Sequence, residues 1–86
     1  KDVLAIDLRD VPFIDSSASA ALDDVIQRLN DDGDRVLLFG ARQRVKTILQ
    51  QTGVLERLGA ENLLEQRIDA LRLAQAIIGN MPTASD

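Results

Sequence analysis

Two short, nearly unbroken apolar runs constrain the fold of this chain more than any other feature of its sequence. The runs are Val3–Leu8 and Val36–Phe39, and each has the length of a strand rather than of a helix. Such a run is typical of a strand covered on both faces, as in a parallel sheet. Each is followed by a turn and then by an amphipathic helical pattern. Since helical crossovers give parallel strands with right-handed connections, this alternation predicts an α/β fold with a largely parallel sheet and helices packed on it.

The spacing of apolar residues predicts the order β-α-β-α-β-α for the whole chain. The predicted elements are strands at Lys1–Leu8, Arg35–Phe39 and Leu63–Gln66, helices at about Ser16–Asn30, Gln43–Thr52 and Ile68–Ile78, and a half-buried turn at Val54–Leu58. The residues predicted to face inward are Ala18, Ala21, Leu22, Val25, Ile26 and Leu29 in the first helix, and Leu71, Ala74, Ile77 and Ile78 in the last.

The length of 86 residues is that of one domain. We expect this domain to occupy residues 1–80, with residues 81–86 as a C-terminal tail. Three strands make a thin sheet with open edges, and open edges usually need cover. Because the first strand begins almost at the first residue, we expect a complete domain to have further strands before it.

Composition argues against several classes of function. The chain has no cysteine, which excludes disulfides, thiolate metal sites and cysteine nucleophiles. Its net charge of −4 and its lack of tryptophan and tyrosine argue against a nucleic-acid partner. No window of the sequence approaches the roughly 18 consecutive apolar residues of a membrane span.

The turn between the first strand and the first helix carries the clearest candidate for function. Pro12 ends the sheet ladder, and Asp15, Ser16 and Ser17 are residue types that cap the start of a helix. Hydroxyl groups at the positive end of a helix also lie where an added phosphate is favourable. On the pattern alone, such residues before an apolar-periodic run are usually just a helix cap.

Three arginines are candidates for contact with an anion. In a parallel sheet, all strand-to-helix turns emerge at the same edge, which is where α/β folds bind ligands. This edge is expected to gather the Asp15–Ser17 turn near Arg42, Arg44 and Arg67. A cationic start to the second helix opposes the helix dipole, which points to contact with an anion or with the carboxylate of a partner. Solvated surface arginines are the alternative interpretation.

An enzymatic function is poorly supported. The chain has no histidine or cysteine, so a serine nucleophile would lack its usual base, and no glycine-rich phosphate loop is present. In one enzymatic alternative, Asp7, Asp10 and Asp15 hold Mg²⁺ for a phosphoryl reaction. Helix capping and surface charge explain these carboxylates more simply. We therefore expect a binding or switching module without a resident metal.

The first strand, the turn and the helix behind it resemble the STAS domain, which is shared by bacterial anti-sigma-factor antagonists and the cytoplasmic tails of SulP anion transporters. The resemblance rests on Val3–Leu8 and on the turn Val11–Ser17, and it covers nearly the whole chain. The segments Thr52–Gly59, Asn62–Leu64 and Asp69–Leu71 are more similar to the SulP tails.

The resemblance implies a non-catalytic regulatory and protein-interaction domain of a SulP-type transporter of sulfate-like anions. It also implies a membrane domain in the parent chain, a position at the cytoplasmic face of the cell membrane, and no required cofactor. A cytosolic protein partner, a homodimer and weak nucleotide binding stay open. STAS domains also begin with strands before the one at Val3, in agreement with the open edge of the predicted sheet.

The resemblance also suggests a phosphorylation site. In the antagonists, the turn resembles Asp-Ser-Ser-Gly, and the second serine is phosphorylated by the partner kinase. The matching residue is Ser17, with Ser16 beside it and Asp15 as the supporting cap, while Ala18 departs from the expected glycine. The alternative function that follows is a free-standing anti-sigma-factor antagonist switched by serine phosphorylation.

Overall fold

A three-stranded parallel sheet with its second strand in the centre organises the fold. The structure, a computed structural model, describes residues 2–79. In chain order its elements are β1 (Val3–Asp7), α1 (Ser16–Asp31), β2 (Arg35–Phe39), α2 (Gln43–Gln51), α3 (Val54–Leu58), a 3-10 turn (Ala60–Asn62), β3 (Leu63–Leu64) and α4 (Arg67–Gly79). The strand order β1-β2-β3 with helical crossovers confirms the predicted α/β fold.

The three strands end together at one edge of the sheet, which we name the carboxyl edge. In the register of β1 and β2, the last pair is Asp7 and Phe39. The short strand β3 extends the sheet on the other side, where Leu64 pairs with Phe39. Because all three strands are parallel, the turns that follow them emerge at this edge.

The main hydrophobic core lies between one face of the sheet and the helices α1, α2 and α3. Side chains alternate between the two faces of a strand, so Val36 and Leu38 belong to this core while Leu37 and Phe39 lie on the opposite face. Helix α4 packs on that opposite face, where its Ala70 is buried. The buried residues of the main core are Leu8, Ile26, Val36, Leu38, Ala41, Val45, Leu49, Val54 and Leu58.

The prediction that the first strand is covered on both faces is wrong. Strand β1 lies at the edge of the sheet and pairs only with β2 within the described part of the chain. As a result, 43% of Leu4 is exposed, and Ala5 is exposed as well. The apolar run of β1 resembles that of the central strand, but its edge position depends on pairing between segments that are distant in sequence.

The inward faces of α1 and α4 are narrower than their apolar patterns predict. Leu22, Ile26 and Leu29 of α1 pack on or within the core as predicted, whereas Ser19 and Ala70 are buried although neither was in the predicted stripes. The predicted inward residues that are exposed are Ala18, Ala21 and Val25 in α1 and Leu71 and Ile78 in α4. A sheet of three short strands covers only a narrow stripe of each helix, so the apolar flank of each helix stays exposed.

Smaller differences concern the ends of elements. Residues Val54–Leu58, predicted as a half-buried turn, form the short helix α3, and the third strand is limited to Leu63 and Leu64. The predicted strand start at Lys1, the predicted domain end at residue 80 and the predicted tail at residues 81–86 lie outside the described residues.

The helices are amphipathic and of moderate length. The longest of those described is α1, with 16 residues. Between residues 2 and 79, no helix is long and apolar enough to cross a membrane.

Ser19 is a buried polar residue whose hydroxyl lacks a hydrogen-bond partner among the described residues. Only 1% of Ser19 is exposed, and its Oγ makes no hydrogen bond. Asn62 is also polar and buried, but its Nδ2 donates to the carbonyl oxygen of Leu58 (2.7 Å) and its Oδ1 accepts two hydrogen bonds from Arg35. A buried hydroxyl without a partner destabilises the fold because it has lost its hydrogen bonds to water.

The substitution Ser19→Ala should therefore raise the free energy of unfolding by about 1 kcal/mol or somewhat more. Alanine removes the unpaired hydroxyl and also has the higher helix propensity. Urea unfolding followed by circular dichroism measures the change. Ser17→Ala is the matched control, because Ser17 lies in the same helix but is exposed and reports mainly the propensity effect. Equal stability of the two variants would contradict the prediction.

Candidate functional site

The turn from β1 to α1 presents Ser16 and Ser17 at the start of a capped helix. Asp15 is the N-cap residue, and its Oδ1 accepts a hydrogen bond from the backbone amide of Ala18 (2.7 Å). Ser16 and Ser17 are the first two residues of α1, and both are exposed. The carboxylate satisfies one amide of the first turn and interacts favourably with the positive end of the helix. Asp15 thereby fixes the start of α1 and the position of the two exposed hydroxyls.

Apolar side chains hold this turn against the core. Val11 and Ile14 are half-buried and pack against the core cluster. The amide of Val11 also donates to the carbonyl oxygen of Leu8 (3.1 Å). Between these two anchors, Phe13 keeps 55% of its surface exposed. The turn therefore combines a fixed backbone with an exposed aromatic ring and two exposed hydroxyls.

A small cavity lies beside the first turns of α1. It has a volume of about 190 Å³, and its lining includes Ser16, Ser19 and Asp23 of α1 together with Thr52 and Val54. Asp23 also forms an ion pair with Arg57 of α3. The Nε of Arg57 donates a hydrogen bond to the Oδ1 of Asp23 at 2.7 Å. The surroundings of Ser16 are thus formed by the end of α2 and the start of α3.

The three arginines predicted to contact an anion lie in different surroundings. Arg42 precedes α2, and its Nε donates to the carbonyl oxygen of Arg9 (3.2 Å). Arg44 is exposed, and its side chain makes no hydrogen bond or ion pair with any of residues 2–79. Arg67 is the first residue of α4 and lines a groove together with Arg9.

The described contacts do not join the two serines to Arg42 or Arg44. Ser16 shares its cavity with Thr52, which follows Arg42 by ten residues. With a rise of about 1.5 Å per residue, this separation is roughly 15 Å along α2. The structure instead brings Arg9, Arg42 and Arg67 together at the carboxyl edge.

Arg9 is a candidate residue that the sequence analysis did not single out. Its Nε donates to both carboxylate oxygens of Asp7, at 3.0 Å each, and its Nη2 donates to Oδ2 at 2.7 Å. Its guanidinium carbon lies 5.8 Å from the centre of the Phe39 ring, within the range of a cation–π interaction. The stem of the side chain passes over Gly40, where a Cβ atom would overlap the Cγ of Arg9. Arg9 is therefore held in one orientation by the carboxylate of Asp7 and the ring of Phe39, and the absence of a side chain at position 40 leaves space for its stem.

The contact with Arg9 shifts the titration of Asp7. The side-chain hydrogen bonds from Arg9 lower the pKa of Asp7 below its ordinary value of 3.8, and the amide of Arg9, which donates to Oδ1 at 2.9 Å, lowers it further. The charge of Arg67 contributes a smaller effect in the same direction, so this guanidinium lies within electrostatic range of Asp7. The same hydrogen bonds raise the pKa of Arg9, and both groups are charged at neutral pH.

The carboxylates of the magnesium alternative are not gathered into a metal site. Asp7 is engaged by Arg9, and Asp15 accepts the amide hydrogen bond of the helix cap. Over residues 2–79, no group of three aspartate, glutamate, histidine or cysteine side chains is arranged to hold a metal ion. The geometry therefore gives no support to metal-assisted phosphoryl chemistry at this edge.

Comparison with known proteins points to one family. The profile of the STAS domain family matches residues 1–71 of this chain. The bicarbonate transporter BicA from Picosynechococcus sp. is 28% identical over 85 residues, which make up 99% of this chain and 15% of that protein.

Two solved structures share this architecture. The crystal structure of a sulfate transporter family protein from Wolinella succinogenes gives a TM-score of 0.88 at 28% identity, and the match covers 92% of this chain and 65% of that one. The STAS domain of a SulP transporter from Vibrio cholerae gives a TM-score of 0.86 at 30% identity. This match covers 93% of this chain and 62% of that one. The chain therefore spans 15% of the transporter's length and slightly less than two thirds of each solved structure.

The ion pair of Asp7 and Arg9 should make stability depend on pH in the acidic range. Because folding lowers the pKa of Asp7, its contribution is present at neutral pH and is lost as pH decreases below 3.8 towards the folded-state value. We expect Asp7→Asn to melt below the parent protein at pH 7, and this difference to shrink below pH 3.8. Thermal melts from pH 7 to pH 3 measure it. Asp10→Asn, which leaves the Asp7–Arg9 hydrogen bonds in place, controls for charge, and a constant difference across this range would contradict the assignment.

The close approach of Arg9 to Gly40 predicts unequal effects of two glycine substitutions. Gly40 and Gly53 both have positive φ, at 74° and 82°. Backbone strain should therefore lower the free energy of unfolding by about 1 kcal/mol when either glycine is replaced by alanine. Nothing lies within 4 Å of a Cβ atom at Gly53, whereas at Gly40 the Arg9 side chain must move. Gly40→Ala should therefore destabilise the protein more than Gly53→Ala in urea unfolding. The reverse order, or equal losses, would argue against a fixed position of Arg9.

Proposed function

The chain belongs to the STAS domain family, and from this membership we propose that it is the regulatory and protein-interaction domain of a SulP-type transporter of sulfate-like anions. The observation that carries the proposal is the agreement of three relatives whose names denote anion transporters: BicA, the Wolinella protein and the Vibrio domain. The two structural matches cover nearly all of this chain, so the likeness is not limited to a short motif.

The proposal assigns the chain a non-catalytic role. The sequence has no histidine or cysteine, and Asp7 and Asp15 are engaged in an ion pair and a helix cap. Binding surfaces are better supported, because the turn before α1 exposes Phe13, Ser16 and Ser17 together. A protein partner that approaches this turn would meet one aromatic ring and two hydroxyls on a fixed backbone.

The proposal places the domain at the cytoplasmic face of the cell membrane, joined to a membrane domain in a longer parent chain. The match to 15% of a transporter supports this arrangement. Cytosolic proteins, and a second copy of the chain, are the partners that such a domain could engage. Leu4 of β1 and Val25 of α1 are large apolar residues that stay exposed, so each is suited to contact with such a partner.

Within this function, we assign the regulatory position to Ser17, with Ser16 beside it and Asp15 as the supporting cap. A phosphate on Ser17 would add a charge of about −1.5 to −2 at the positive end of α1, where the helix dipole favours it. The new charge would also lie in the same helix as Asp23, which forms the ion pair with Arg57 of α3. Its neighbour Ser16 lines the same cavity as Asp23. Arg42, Arg44 and Arg67 are proposed contacts for an anion or for a partner's carboxylate at the carboxyl edge.

A free-standing anti-sigma-factor antagonist is the second candidate, because the exposure of Ser17 suits a kinase substrate equally well. The two candidates differ in whether the domain acts on transport. A test of Ser17 in a transport assay and a binding assay therefore separates them.

We predict that Ser17→Asp changes anion uptake by the full-length transporter roughly fivefold, the lower end of the coupling typical of switches. The introduced carboxylate imitates part of the phosphate charge at the start of α1. Uptake of radiolabelled sulfate and bicarbonate into cells or proteoliposomes measures the effect. Ser17→Ala, which removes the acceptor without adding charge, defines the unphosphorylated state.

Gln27→Asp is the matched control, since it adds the same charge on an exposed position of α1 but roughly 15 Å further along the helix. A transport change in Ser17→Asp alone supports the assigned position. Equal effects at Ser17 and Gln27 would show a nonspecific response to charge. Absence of any transport, with loss of a kinase-like partner from Ser17→Asp in a pull-down, would favour the antagonist.

A further inference from the structure

A groove runs beside the first two turns of α4 at the carboxyl edge. Its outer part has a volume of about 450 Å³ and is lined by Arg9, Glu65, Gln66, Arg67, Ile68 and Leu71. Its inner part, of about 350 Å³, shares Arg9, Arg67 and Leu71 and continues onto Ala5, Asp7, Phe39 and Ala70 of the sheet face and helix. Volumes of this size are within the range of small-molecule sites.

Two guanidinium groups stand at the rim of this groove. Arg9 is fixed by Asp7 and by the Phe39 ring, yet 57% of its side chain is exposed, so it can take a further partner with little loss of conformational freedom. Arg67 is exposed, and its side chain makes no hydrogen bond or ion pair with any residue from 2 to 79, although its charge acts on Asp7 at longer range.

Both carboxylates that line the groove are engaged by a cation. Asp7 pairs with Arg9, and Glu65 pairs with Lys46, whose Nζ lies 2.6 Å from its Oε1. Arg67 lines the groove without an ion-pair partner among residues 2–79. The groove therefore offers a ligand two guanidinium groups that can donate hydrogen bonds.

The walls and floor of the groove are largely apolar. Leu71 and Ile68 keep 44% and 47% of their surfaces exposed, although both are large hydrophobic side chains. Ala5 and Phe39 of the sheet and Ala70 of α4 form the inner part. Leu71 and Ile68 stay exposed because the three-stranded sheet covers only part of α4. The apolar part of a bound ligand would cover both side chains.

From this combination of an apolar groove, a fixed Arg9 and an exposed Arg67 whose side chain has no hydrogen-bond partner within residues 2–79, we propose that the groove binds small organic monocarboxylates with an apolar body. The carboxylate lies between the guanidinium groups of Arg9 and Arg67, and the apolar body lies along Leu71 towards Phe39. This ligand site is separate from the Ser17 turn and does not depend on the transport role.

The charge balance selects a monocarboxylate over two related ligands. A neutral alcohol of the same shape leaves Arg67 without a partner and loses the charge-assisted hydrogen bonds. A phosphate dianion carries twice the charge of a monocarboxylate, so the nearby carboxylate of Asp7 repels it more strongly. Recognition therefore rests on one negative charge joined to an apolar body.

The test is a titration of the protein with 3-phenylpropionate, followed by the amide signals of a nitrogen–proton correlation spectrum. We expect saturable shifts confined to residues of the groove, including Phe39, Arg67 and Leu71. The matched compounds 3-phenylpropan-1-ol and 2-phenylethyl phosphate should bind about fivefold more weakly or worse, a factor equivalent to roughly 1 kcal/mol.

Two pairs of variants test the two halves of the site. Arg67→Gln should weaken 3-phenylpropionate binding about fivefold, while Arg72→Gln, an exposed arginine of the same helix that does not line the groove, should not. Leu71→Asn should weaken binding, while Ile78→Asn, an exposed apolar residue far along α4, should not. Each variant's spectrum reports whether it is folded.

Four results of the titrations would overturn the proposal by their affinities, and a fifth by the position of the shifts. These are no saturable shift at millimolar 3-phenylpropionate, equal affinity for the alcohol, tighter binding of the phosphate, or equal binding by Arg67→Gln and Arg72→Gln. Shifts centred on the Ser17 turn instead of the groove would likewise contradict it.

Discussion

Burial of β2 on both faces is the interaction on which the rest of the structure depends. Val36, Leu37 and Leu38 are at most 2% exposed, with α1, α2 and α3 on one face and α4 on the other. Full burial of such a side chain stabilises a protein by about 1.5–3 kcal/mol, so this strand holds both helical layers together. The strands β1 and β3 are attached at its sides. The surfaces available for binding therefore lie at the edges, where side chains are not committed to the core.

The order and type of the elements were predictable because they follow from local patterns. The apolar run at Val36–Phe39 and the spacing of Leu22, Ile26 and Leu29 are each contained in a single segment. The edge position of β1 was not predictable in this way, because β1 and β2 have similar apolar runs and only pairing decides which is central. For the same reason, the sequence did not reveal that Leu71 and Ile78 lie on the exposed flank of α4.

The candidate site was predictable only in part. The cap at Asp15 follows from residue type and from the helical pattern behind it, so its hydrogen bond to Ala18 matches the sequence-based expectation. The role of Arg9 depends on Phe39 and Gly40, which are some thirty residues away, so no local pattern contains it. A weak signal was present in the spacing of Asp7 and Arg9, because residues two apart in an extended chain lie on the same side. The convergence of the strand-to-helix turns led instead to Arg42, Arg44 and Arg67.

The passage of the Arg9 stem over Gly40 has a consequence for how this family can vary. A side chain at position 40 and an extended arginine at position 9 occupy the same space, so each excludes the other. Relatives that keep the arginine must keep a bare backbone at position 40, and relatives that gain a side chain there must lose or redirect the arginine. The two positions are far apart in sequence, yet the residues found at them in related sequences should be correlated. Among aligned STAS sequences, an arginine at position 9 should therefore seldom occur together with a side chain at position 40, and members with a side chain there would carry a differently shaped groove beside their last helix.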